Sequence, residues 1–179
     1  AKLAVKILPE KEGENNGEMS LQFVNDHSIG STATAIEQLR NEEQRMLDIA
    51  RNNVEASFDT LLTMDTSRLE GLNQNEEYLD YLNTEITKYI SKTFSFTMSS
   101  QDSQIIYSLF DICSNIERIG DHATNMAEYV YMLKDKNLTL SQRAKEELAQ
   151  MRTVTMQALG EIDLFAGENS LVSLGHIEL

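Results

Sequence analysis

An all-α fold, an antiparallel up-down helical bundle, is what this chain predicts, and three observations predict it. Leu, Ile, Met and Ala dominate the apolar residues of a 179-residue chain that has one proline and no tryptophan, a balance that favours long helices over pleated strands. Apolar residues recur at three- and four-residue steps through four long stretches, the period of a helix buried along one side. The connections between those stretches are only a few residues long, which makes sequence neighbours antiparallel.

At 41% hydrophobic content the chain can bury one core. The opening AKLAVKIL is apolar with two lysines and starts with Ala, so residues 1–20 read as a membrane-proximal segment, the trailing end of something larger, followed by the polar linker PEKEGENNGEMS. Residues 21–166 form the expected bundle, and 167–179 a C-terminal tail without strong period. The first helix spans about Ser31 to Thr63, with Ala35, Leu39, Met46, Ala50, Val54, Phe58 and Leu61 along its apolar side. The second starts near Ser67, where S-x-x-E offers a capping box, and runs to about Phe96 with Leu72, Leu79, Leu82, Ile86 and Ile90 in its stripe. The third opens near Ser99 or Ser100 and continues to about Lys134 through Ile105, Leu109, Cys113, Ile116, Gly120, Ala123, Ala127 and Val130. The fourth starts at Thr139, with Gln142 completing its cap, and carries Ala144, Leu148, Met151, Ala158, Ile162 and Phe165.

The formal charge is −14, from 29 acidic and 15 basic residues. Such a surface repels phosphate backbones and argues against nucleic-acid binding, while attracting cations or basic partners. A lone cysteine, Cys113, forms no internal disulfide and reads as core packing. No run reaches the roughly 20 apolar residues of a membrane span.

Chemistry concentrates in NIERIGDHATNMAE, residues 115–128. At about 100° per residue, Glu117 lies about 80° and Asp121 about 120° from Leu109, at the border of the buried stripe. Gly120 sits at the stripe's centre, where a glycine lets a neighbouring backbone come close. The second helix repeats the arrangement, with Glu76 and Asp80 bordering its core side and Glu77 pointing away. The two pairs lie about 20 residues either side of Met98, roughly 30 Å from the turn, and are therefore level in an antiparallel hairpin. Four carboxylates so placed repel one another unless cations, protons or arginines neutralise them, and a hard or borderline metal ion held by oxygen ligands is one economical answer. The plainer reading is a solvated face countered by Arg118 or Lys88. His122 falls on the far side and reads as a surface histidine.

At ERIGDHATNMAE the chain resembles the PhoU family, whose helical domains carry E-R-I-G-D followed by a-x-N-I-a-E. Glu76 and Asp80 match the family's partner motif, an acidic residue with Asp four later. The stretch from KILPEKEGENN to AIEQLRNEEQRM resembles a narrower group, the PhoU-like cytoplasmic tails of bacterial sodium/phosphate cotransporters, with Glu42, Arg45 and Met46 in its E-x-x-R-M places. The resemblance covers roughly residues 5–150. It implies a three-helix unit plus a fourth helix, metal ions (iron and zinc are candidates) held by Glu76, Asp80, Glu117 and Asp121, and no enzymatic activity. It also implies a role in modulating phosphate transport at the cytoplasmic face of the membrane, with the transmembrane region of the same parent chain as partner. Family chains often carry a second E-R-I-G-D, whereas here Glu161 and Asp163 in GEID are a faint echo, so the expectation is a dimer in which a second copy supplies the other half.

Three alternatives stand beside this reading. One is a free-standing adaptor for ABC-type phosphate uptake and signalling, and another a metal-free acidic interaction bundle. The third, a di-iron oxidase, needs Glu three residues before His. Val24, Ile119 and Ser173 stand there instead.

Overall fold

The computed structural model describes residues 19–24, 31–94 and 98–164. They form four helices in an up-down bundle: α1 (Thr32–Thr63), α2 (Leu69–Thr93), α3 (Ser100–Asp135) and α4 (Gln142–Gly160). No strand occurs among the described residues. No helix there is long and apolar enough to cross a membrane. The expected membrane-proximal segment through residue 18, the tail from residue 167, and Phe165 all lie outside the described residues.

Ser31 caps α1 by accepting from the Thr34 N–H, and Ser99 caps α3 by accepting from Asp102, each satisfying a donor that a helix start leaves orphaned. Two starts differ from expectation. The Ser67 capping box does not form: the Ser67 N–H and hydroxyl both bond the Asp65 carboxylate, at 2.9 and 2.8 Å, and α2 begins at Leu69 with no side-chain cap. Asp65 lies two residues earlier and captures the serine in a tight turn before the helix can use it. The fourth helix begins at Gln142 rather than Thr139, because Ser141 accepts from the Ala144 N–H at 3.2 Å.

The antiparallel register shows in cross-helix bonds. Gln38 pairs with Tyr89 and Asn53 with the Leu72 carbonyl between α1 and α2, while Lys134 at the end of α3 reaches Thr66 just before α2. The core is the three-way seam of α1, α2 and α3, where Leu39, Met46, Leu47, Leu82, Ile86, Ile106 and Cys113 are fully buried. In α3 the stripe at this end runs through Ile106, and Ile105 is half-buried. Gly120 explains how closely α2 and α3 approach: a Cβ there would lie 2.2 Å from Leu79 Cδ1, a separation no real Cβ tolerates.

The fourth helix departs from the predicted stripe. Its Leu159 is buried, but Met151 is 57% exposed. It lies against α1 beside Val54 and Phe58, with Ala123 of α3 in the same cluster. Arg51 donates to the Leu159 carbonyl at 3.0 and 2.6 Å and to the Ile162 carbonyl at 2.9 Å, closing the helix's C-terminal end. Arg152 bridges to Glu55 and Asp59 of α1.

Candidate carboxylate face between α2 and α3

The amphipathic period of α2 puts Glu76 and Asp80 beside the buried Leu72 and Leu79. The period of α3 puts Glu117 and Asp121 beside the buried Ile116 and Gly120. Because Gly120 and Leu79 pack level with one another, the two pairs meet across the α2–α3 seam. Glu76, Glu117 and Asp121 are half-buried and Asp80 is exposed, while Glu77 and Glu128 face solvent.

The electrostatics record the convergence. Partial burial first, then the negative charges of Asp80, Asp121, Glu77 and Glu117, push the Glu76 carboxyl above its ordinary value. Glu117 is raised by burial, by Asp80 and Asp121, and by a hydrogen bond with Asp80, against a weaker pull from Arg118. Burial, and the repulsion of like charges gathered on one face, are the physical causes of both upward shifts. Among the described residues no Lys or Arg forms an ion pair with any of the four. Lys88, a possible counter-charge on sequence grounds, is taken up by Glu85 at 2.6 Å. Asp121 accepts from the Asn125 amide at 2.9 Å.

The donor set is chemically suited to a hard or borderline cation, being all carboxylate oxygen and short of counter-charge. Among the described residues, no three Asp, Glu, His or Cys side chains converge closely enough to hold an ion as they stand. His122 is exposed. The Cys113 thiol is buried, lying 3.8 Å from Met46 Sδ and 3.4 Å from Asn83 Oδ1, and burial with nearby Glu43 and Glu117 pushes its pKa up. It is inert packing, as expected.

Sequence reasoning missed Glu43. It is fully buried in α1, neither carboxylate oxygen has a hydrogen-bond partner, and burial pushes its pKa up to about 9 despite the opposing charge of Arg40. The signal was present: Glu43 stands four residues after Leu39 and four before Leu47, inside the apolar period.

Residues 44–130 match the family model described as the PhoU domain. The chain is 28% identical over 149 residues to the phosphate-specific transport system accessory protein PhoU homolog of Xylella fastidiosa strain Temecula1, and equally to its counterpart in strain 9a5c. Each alignment covers 83% of this chain and 58% of the relative, so the chain spans a little over half the length of these curated relatives. No solved structure matches.

Proposed function

We propose, from the premise that this chain belongs to the PhoU domain family, that it is a non-enzymatic accessory regulator of phosphate uptake whose α2–α3 face takes cations. The observation that carries the cation reading is the meeting of Glu76, Asp80, Glu117 and Asp121 across one seam, where burial and the neighbouring negative charges push the Glu76 and Glu117 carboxyls up. These four residues would hold the ion, which supplies positive charge where like charges repel. Leu79 and Gly120 set the helix spacing that keeps both pairs level.

An adaptor for ABC-type phosphate uptake is favoured because the two Xylella fastidiosa relatives are named accessory proteins of a phosphate-specific transport system. The second reading, a cytoplasmic regulatory domain of a sodium-dependent phosphate transporter, draws on the Glu42, Arg45 and Met46 pattern. Membrane-spanning segments encoded upstream of Ala1 in the same gene would decide for it.

The test is metal content by mass spectrometry on protein purified without chelator or nickel resin, wild type beside Glu117→Ala/Asp121→Ala. Both proteins are then returned to cells lacking the gene, and phosphate uptake is followed. Stoichiometric metal lost in the double variant, together with restored control of uptake by wild type alone, is expected. Metal-free wild type with normal folding removes the cation part of the reading. Uptake that ignores the wild-type protein removes the regulatory part.

A further inference from the structure

The Glu42, Arg45 and Met46 pattern has no part in the carboxylate face, yet it is embedded in the bundle. Met46 and Glu42 are fully buried. The Glu42 carboxylate accepts from the backbone N–H of Gln22 at 2.9 Å and of Phe23 at 2.8 Å. Arg45 pairs with the other oxygen of the same carboxylate and donates to the Tyr78 hydroxyl at 2.7 Å. The Arg45 guanidinium and the Tyr78 hydroxyl both donate to the Ser20 carbonyl, at 3.3 and 3.0 Å. Arg45 also lies over the Tyr78 ring, 5.1 Å from its centre.

We infer that Glu42, Arg45 and Tyr78 form a main-chain dock whose occupant is the chain's own segment 20–23, held as a strap across α1 and α2. Every bond that reaches the strap goes to a backbone group: two N–H donors on a carboxylate and one carbonyl between a guanidinium and a phenol. The dock therefore reads extended main chain rather than side chains, and Phe23 leaves 44% of its surface exposed. The charged members make these hydrogen bonds strong, and the carboxylate's burial makes them costly to lose. Both helices contribute, α1 through Glu42 and Arg45 and α2 through Tyr78, so the strap pins the α1–α2 seam. It also ties the chain preceding Ser20 to the helix that carries Glu76 and Asp80. This role for the E-x-x-R pair does not rest on the cation reading.

Hydrogen exchange on the full chain, read residue by residue, tests it with three variants. Phe23→Ala keeps the N–H and removes the ring, Phe23→Pro removes the N–H, and Glu42→Ala removes the acceptor. In wild type and Phe23→Ala, the Gln22 amide is expected to exchange at least about tenfold more slowly than in an unstructured peptide. In Phe23→Pro and Glu42→Ala that protection is expected to vanish while amides in the middle of α3 keep theirs. Equal loss in Phe23→Ala and Phe23→Pro would show that side-chain packing holds the segment and overturn the dock. Free exchange of Gln22 in wild type, or protection that survives Phe23→Pro, overturns it as well. If Glu42→Ala does not fold, the two Phe23 variants still decide the matter, because they alter only the strap.

Discussion

The α1–α2–α3 unit and α4 belong to one bundle, but different forces hold them. The three-helix unit buries long apolar side chains from all three members, with Leu39, Leu82 and Ile106 wholly out of solvent. In α4 the one buried residue is Leu159, Leu148 and Met156 are only partly buried beside it, and polar contacts add to the attachment: Arg51 on its C-terminal carbonyls and Arg152 across to Glu55 and Asp59. Apolar burial scales with area and survives changes of salt, whereas exposed ion pairs are worth little and are screened. The three-helix unit is therefore the stable frame for the carboxylate face, and α4 is the element that opens first.

The sharpest way to separate the two regions is a cavity in the frame. Leu82→Ala is expected to cost about 3 kcal/mol of global stability, seen as one cooperative shift in urea denaturation. A loss confined to α4 would contradict the division drawn here. Next comes Arg51→Ala, which removes the bonds to the Leu159 and Ile162 carbonyls. Its cost is expected to be about 1–3 kcal/mol and local. Amides of α4 should exchange faster while those of α2 and α3 are unchanged, and an equal acceleration everywhere would mean that the four helices form one cooperative unit.

The remaining test is a slope with pH, gentle per unit but accumulating across the range. Burial holds Glu43 protonated in the fold up to about pH 9, whereas its ordinary value is 4.5. Its contribution is thus complete below about pH 4.5 and is lost as pH rises towards 9, because the unfolded chain releases the proton and the folded chain must keep it. The decline is on the order of 1 kcal/mol per pH unit at its steepest. The raised values of Glu76 and Glu117 add in the same direction. Stability measured from pH 5 to 9 should fall in wild type and flatten in Glu43→Gln. An unchanged slope in that variant would place the buried proton elsewhere.

The frame was more legible than its attachments. Leu79, Gly120 and the two acidic pairs follow from helical period and equal distance from one turn, both local properties of the chain. Ser67 misled because its capping partner depends on a competing carboxylate two residues away, and Met151 misled because a stripe says which side is apolar, not whether anything covers it. Met151 stays exposed because α4 lies against α1 through another part of its surface.

By itself the sequence determined four helices, their antiparallel order and the level pairing of Glu76 and Asp80 with Glu117 and Asp121, since period, caps and loop length are encoded over a few residues. Tertiary structure alone decided that the Glu43 carboxyl finds no hydrogen-bond partner, that Lys88 goes to Glu85, and that Glu42, Arg45 and Tyr78 close on the backbone of residues 20–23. Each of these depends on which chemical groups meet across helices, and hydrogen bonds and desolvation are settled by those neighbours rather than by residue type.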